Sequence, residues 1–267
     1  MRNICLTLAY DGTNYAGWQV QTAAPTIQQE VERAIHAISG QQVRVLSAGR
    51  TDAGVHAFGQ VANFRIDSTI PPEKWQPALQ SQLPHDIVIR ESREVDMEFH
   101  ATYSAKSKRY RYVIMNRRLD DPFLRRYCWN IDHPLDAGAM HRAAQALLGK
   151  HDFRCFESHW PNKATSVRTI MDVSVQRIAG WPAWSPEPIA NRPASANGSG
   201  DFIVLEIEAD GFLYNMVRAI TGTLVEVGRG KWPVDVIRDI IAAGERGQAG
   251  PTAPPQGLAL VCVNYGD

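Results

Sequence analysis

Apolar and polar positions alternate with two different periods along this chain, and the switches between them mark out its elements. Residues 3–10 alternate, with Ile4, Leu6, Leu8 and Tyr10 on one side, and predict a strand that runs into the Gly/Asn-rich loop DGTNYAGWQ. In TIQQEVERAIHAISG the period lengthens: Ile27, Val31, Ala34, Ile35 and Ile38 share one helical face. Thr26 is placed to cap that helix, Gln29 completes a capping box, and Gly40 stops it. Strands are expected at 42–47 and 58–66, then a helix over 72–82 with Pro71-Pro72 at its first turn, then a strand over 86–95. The rhythm returns loosely in the second half. A strand is expected at 108–116, and a helix in LDAGAMHRAAQALLGK capped by Asp136 and stopped at Gly149. Strands at 167–178 and 202–209 precede a long helix at about 211–227, a short helix from Pro233 and a last strand at 257–264.

Strand–helix–strand–strand, twice over, predicts an α+β fold of two similar halves, residues 1–105 and 106–267, with mainly antiparallel sheets flanked by helices. The duplication rests on the order of elements, since no repeat is visible in the sequence itself. Residues 179–201 break the pattern with Pro, Gly, Ser and Ala and read as a long loop between two strands. Trp181 and Trp184 argue against a purely flexible linker, because large aromatics find something to pack on.

Composition adds bounds rather than an answer. An apolar share of 44% over 267 residues is enough for a sizeable core. Lys and Arg total 28 and Asp and Glu total 28, so net charge argues neither for nor against a polyanionic partner, and local distribution has to decide. Cys5, Cys128, Cys155 and Cys262 are scattered with no CxxC, as expected of reduced thiols in a cytoplasmic protein. The opening strand is too short for a signal peptide's apolar region, and no run reaches the length of a membrane span.

The candidate chemistry is local. In AGRTDAGVHAFGQ, residues 48–60, Asp52 lies between Arg50 and Gly54 in a strand-to-strand loop. A neighbouring guanidinium favours the ionised carboxylate, which is then a nucleophile or base at neutral pH, and glycine allows a ligand or a positive φ close by. The same residues also suit an ordinary turn in which Asp52 bonds its own backbone. Residues 106–126 hold Lys106, Lys108, Arg109, Arg111, Arg117, Arg118, Arg125 and Arg126 against Asp120 and Asp121, interleaved with Tyr103, Tyr110, Tyr112 and Tyr127. Such a stretch either meets phosphates and bases or is a strand face balanced by acidic neighbours. Arg218, among Phe212, Met216, Val217, Ile220 and Leu224, is either an enclosed cation that needs a carboxylate or a surface residue at the helix edge. His151, Cys155 and His159 would share one face of a helix, a weak zinc signal with no fourth ligand in sight. No Walker loop or dinucleotide fingerprint is present, so no cofactor is indicated.

AGRTDAGVHAFGQVANF closely resembles the signature of the TruA-type tRNA pseudouridine synthases. YDGTNYAGWQ, FHATYSAKSKRYRY, MHRAAQALLGKHDF, NMVRAITGTLVEVG and TAPPQGLAL follow in the order that family shows, so the resemblance spans nearly the whole chain. The excursion at 179–201 is longer than the family's usual connection. The resemblance implies isomerisation of uridine to pseudouridine in the anticodon arm of tRNA, at positions 38 to 40 in tRNA numbering, without metal or organic cofactor. It makes Asp52 the catalytic aspartate, Arg50 the motif arginine that fills the flipped base's space or binds its phosphate, and Tyr110 the tyrosine that packs on the target base. It makes Arg218 the partner of the catalytic carboxylate and Leu258 a wall of the uracil pocket, in a cleft between RNA-recognition-like halves. It also implies a homodimer, with each tRNA reaching across both subunits. Two other readings stand beside it: a non-catalytic RNA-binding protein, and a metal hydrolase built on His151, Cys155 and His159.

Overall fold

The computed structural model describes residues 1–158, 165–180 and 200–266. The chain forms two compact units, Met1–Lys106 with Ala259–Asp267, and Ser107–Leu258. Pairing is mostly antiparallel, and five α-helices occur among the described residues, so the fold is α+β.

In the first unit, β1 (Arg2–Tyr10) lies between β3 (His56–Ile66) and β4 (Ile87–Val95), antiparallel to both. Ile4, Leu6 and Leu8 are wholly buried, as their alternation predicts. Ile4 faces Phe64 across the ladder, and Phe64 meets Trp75 edge-on at 5.3 Å. The opposite face of β1 is covered as well, by a cluster of Cys5, Ala48 and Val61 with Phe99, Val263 and Tyr265 around it. Residues 259–260 of β10 (Leu258–Asn264) pair in parallel with His56 and Ala57, so the last strand in sequence belongs to the first unit. Helix α1 (Ile27–Ser39) is capped by Thr26 Oγ1, which accepts from Gln29 N, and ends at Gly40 with φ 72°.

Two elements here differ from expectation. The strand expected at 42–47 shrinks to β2 (Leu46–Ser47), because the peptide groups of Val45 are taken by α1: Val45 N donates to Glu32 Oε1 and Val45 O accepts from Gln28 Nε2. The helix expected over 72–82 opens with a 3₁₀ turn at Pro72–Lys74, and its α-helical part, α2 (Trp75–Gln80), contains Pro77, which lacks an N–H.

The second unit is built on β5 (Ser107–Met115), β9 (Phe202–Ala209), β8 (Val167–Ile178) and β7 (Gly149–Asp152), each antiparallel to the next, with β6 (Trp129–Asn130) parallel to β5. Helix α3 (Ala137–Ala144), capped by Asp136, tightens into a 3₁₀ turn before Gly149. The helix expected from 211 begins at Met216 as α4 (Met216–Gly228). Asn215 takes the left-handed conformation at φ 61°, which no helix can continue through. The helix expected from Pro233 is α5 (Val236–Ala243).

Burial sorts the four thiols. Cys5, Cys128 and Cys155 are buried, and burial pushes them up to about 11, 12 and 11; Cys262 is exposed. The thiolate is the reactive form, so the native protein at pH 8 is expected to react with a thiol reagent at Cys262 first. Mass-resolved labelling checks this: fast modification of a second cysteine would mean a more open fold.

Candidate active site

Residues 49–55 form a short loop between β2 and β3 that is gripped from several sides. Tyr10 is almost wholly buried, and burial pushes its hydroxyl up to about 12, so it stays protonated at neutral pH. Its oxygen accepts from Gln60 Nε2 at 3.4 Å, and the two hydroxyls of Tyr10 and Thr51 share a hydrogen bond at 2.8 Å. Gln60 Nε2 also donates to Gly49 O at 2.8 Å. Trp18 N donates to Thr51 O and Gly54 N to Tyr15 O, while Val55 N closes the turn on Asp52 O. Gly54 has φ 76°, a conformation that its lack of a Cβ makes available. Asp52 is half-buried on this turn and Arg50 is exposed.

The DGTNYAGWQ loop is therefore the clamp on the Asp52 turn. A Cβ at Gly17, where φ is 94°, would stand 2.5 Å from Thr51 O and 3.0 Å from the carbonyl carbon of Asp52. Gly17→Ala is expected to shift the turn by a few tenths of an ångström or more and to lower turnover by on the order of 10²-fold, since small misplacements of a reacting group are that expensive. Steady-state kinetics beside a melting curve checks this. Full activity in a folded variant would show that the clamp does not set the position of Asp52.

In the second unit, the register of β5 and β9 separates two faces. Lys108, Tyr110 and Tyr112 share one face with Ile207 and Leu205, while Arg109 and Arg111 share the other, opposite Glu208 and Glu206. Tyr110 is buried and meets Phe212 edge-on at 5.1 Å. Tyr112 is fully buried; desolvation holds its hydroxyl well above the usual range, with the charge of Arg218 opposing that shift. Its hydroxyl donates to Pro254 O at 2.7 Å. Arg218, half-buried on the first turn of α4, donates from Nε to Ala253 O at 2.7 Å and from Nη1 to Asn215 Oδ1 at 2.8 Å. The strained Asn215 thus has a second use, as a brace for the guanidinium.

The segment that receives both groups is pressed onto α4. A Cβ at Gly222 would lie 1.7 Å from Pro251 O, and Arg246 ties the same segment through Gly250 O and Thr252 Oγ1, both at 2.9 Å. Leu258 follows and is buried; at Gly257 a Cβ would collide with the Tyr112 ring at 2.6 Å. Tyr112, Arg218 and Leu258 are thereby joined through residues 253–258. Sequence reasoning gave site roles to Arg218 and Leu258 but named Tyr112 only as part of the basic–aromatic stretch, although its spacing of two from Tyr110 puts both tyrosines on one strand face. It also missed Tyr10, Gln60 and Gly17, which hold the Asp52 turn; the paired glycines of DGTNYAGWQ were the available signal.

The basic stretch divides. Arg111 and Glu206 are both fully buried and joined at 2.6 Å, and Arg109 reaches Asp172 and Glu208. The strand portion is therefore a balanced face, whereas Arg118, Arg125 and Arg126 on the following loop are exposed. The metal reading loses its premise. His151 is on β7, its Nε2 donating to Leu148 O at 2.9 Å, and Cys155 sits in a 3₁₀ turn (Arg154–Phe156), so the two do not share a helical face. His159, Trp181 and Trp184, with most of the 179–201 loop, lie outside the described residues.

The sequence model of one family, described as tRNA pseudouridine synthase, matches residues 7–104 and 143–266. The chain belongs to that family. A protein named tRNA pseudouridine synthase A from Acetivibrio thermocellus is 49% identical over 265 residues, covering 99% of this chain and 100% of its own. Proteins of the same name from Moorella thermoacetica and Thermoanaerobacter sp. (strain X514) are 48% and 45% identical over 262 and 265 residues, covering 97% and 99% of this chain and 98% and 100% of theirs. Both the Asp52 turn and the Arg218 helix fall within the stretches matched to the family, while β5 and the arginine-bearing loop after it fall between them. No helix among the described residues is long and apolar enough to cross a membrane.

Proposed function

We propose that this chain isomerises uridine to pseudouridine in tRNA, in the anticodon arm at positions 38 to 40, with Asp52 as the nucleophile. The observation that carries the reading is the near-full-length identity, 49% over 265 residues, with a protein whose name states that activity on tRNA. A half-buried carboxylate on a clamped turn is consistent with it.

The chemistry asks for few groups. The bond from uracil N1 to ribose C1′ breaks, the base turns, and C5 bonds to C1′; C5 gives up its hydrogen and N1 gains one. Nothing is oxidised or reduced, so the balance closes within one nucleotide, and the reading includes no metal and no organic cofactor. Asp52 acts in its ionised form, by attack on C1′ or on the ring, or as a base. Arginines near a carboxylate favour that form, and Arg218 takes the role of its partner on this reading. The target must leave the stack, which costs a few kcal/mol. Arg50, binding a phosphate or filling the vacated space, and Tyr110, packing on the base beside Leu258, offset that cost.

On the same reading residues 1–105 and 106–267 are RNA-recognition-like halves, the first supplying Asp52 and Arg50 and the second Tyr110, Arg218 and Leu258. The protein works in the cytoplasm as a homodimer, each tRNA reaching across both subunits. The test is release of tritium from C5-labelled uracil in an unmodified tRNA transcript, because C5 must give up its hydrogen when it bonds to the ribose carbon. Release is the expected result. No release from several tRNAs that bind would replace this reading with that of a non-catalytic RNA-binding protein. Sedimentation as a clean monomer at micromolar concentration would remove the dimer.

A further inference from the structure

The loop after β5 combines three features seldom found together on a surface. Phe123 is 85% exposed and Leu119 75% exposed, and Arg118, Arg125 and Arg126 around them are exposed too. A solvated run of charges has no need of an aromatic ring held in water. The loop is also built rather than slack. Asp121 Oδ1 accepts from Phe123 N and Oδ2 from Arg117 Nη2, both at 2.9 Å, while Leu124 N and Arg125 N bond to Asp121 O at 3.1 and 3.0 Å. Leu124 packs against the core of Val113, Met115, Cys128, Phe202 and Val204, which fixes the turn next to Phe123.

Charge points to the occupant. Asp121 pairs with Arg117 at 2.9 Å, so between residues 117 and 127 Arg118, Arg125 and Arg126 stand against one further carboxylate, Asp120. A chain with no net charge thus concentrates positive charge around one presented ring. Arginine for phosphate and an aromatic face for a base are the two requirements of unpaired RNA.

We propose that this loop is a second RNA contact, in which Phe123 stacks on an unpaired base of the bound tRNA and Arg118, Arg125 and Arg126 hold the flanking phosphates. The inference rests on the tRNA reading above. On this proposal the base stacked on Phe123 is not the reacting uridine, which Tyr110 takes on the reading above. A contact to a base that does not react is the same in ground state and transition state, and it raises affinity without raising kcat.

The experiment uses the full chain and an unmodified tRNA transcript, with three variants: Phe123→Ala, Phe123→Trp, and Arg118→Ala combined with Arg125→Ala. Binding across a salt series, tritium release and sedimentation are measured together. Phe123→Ala is expected to raise Kd and KM by roughly 5- to 150-fold with kcat kept, the range of one base stacked on an aromatic side chain. Phe123→Trp should restore both. The double arginine variant should lower the salt slope by about 1.5, the share of two phosphates. Unchanged Kd and salt slope in variants of an active, tRNA-binding wild type would overturn the loop assignment and leave the isomerase standing. Wild type that binds tRNA but releases no tritium would sink the isomerase alone, and the binding series would still decide the loop. Wild type that binds no tRNA overturns both. Unchanged tRNA affinity with an altered oligomeric state would assign the loop to contact between copies of this chain.

Discussion

Asp52→Asn is expected to abolish pseudouridine formation while the variant still binds tRNA. The amide has the shape of the carboxylate but is neither an anionic nucleophile nor a base, so the loss should be on the order of 10⁴-fold or more, as when other enzymes lose their nucleophile. Most of the turn's grip does not pass through that side chain. Thr51 is held by Tyr10 and Trp18, Gly54 by Tyr15 and Gly49 by Gln60, all through backbone groups or the Thr51 hydroxyl. The melting temperature and Kd for tRNA should therefore stay close to wild type. Tritium release above one-hundredth of the wild-type rate would take Asp52 out of the chemistry. Loss of tRNA binding in parallel with activity would instead make it a binding residue.

The largest effect on stability is expected at Glu206. Arg111 is completely buried and Glu206 almost so; Arg111 Nε and Nη2 both donate to Glu206 Oε1, at 2.9 and 2.6 Å. Glu206→Ala leaves a guanidinium charge in a dry interior, and breaking a buried pair from one side costs about 3–5 kcal/mol. For a chain of this size that lowers the melting temperature by roughly 6–20 °C. Two controls separate charge burial from simple loss of packing. Arg111→Met with Glu206→Leu removes both charges and should recover most of the loss. Asp172→Ala breaks an ion pair with Arg109 at 2.8 Å whose carboxylate is half exposed, and should cost only about 0–1 kcal/mol. Urea melts of the three proteins decide it. A Glu206→Ala variant within 1 kcal/mol of wild type would mean that water reaches Arg111.

Both predictions start from residues visible in the sequence, but not equally. Asp52 was legible because its neighbours carry the information: a short polar turn, an arginine two positions before it and a glycine two after it form a contiguous pattern. The grip on that turn was not, because Tyr10, Gly17 and Gln60 are separated from it in sequence, and their use depends on strand register and on how closely two backbones approach. Arg111 and Glu206 show the limit most plainly. Read along the chain, Arg111 belongs to a basic run that looks ready for phosphate. Only the register of β5 against β9 sets Glu206 and Glu208 opposite Arg111 and Arg109 and turns that part of the run into a structural element.

Local pattern by itself determined the strands with strict alternation, the capped helix α1, and the existence of a motif turn at Asp52. Those depend on side-chain period and on caps within a few residues, which a linear reading can see. The tertiary structure alone decided that Val45 gives its peptide groups to side chains of α1, that α4 begins only after a left-handed Asn215, and that the final strand returns to pair with His56 and Ala57. It alone showed which arginines are neutralised and which face water. In each case the deciding contact joins residues far apart in sequence or a backbone conformation imposed by packing, and neither leaves a trace in the order of letters.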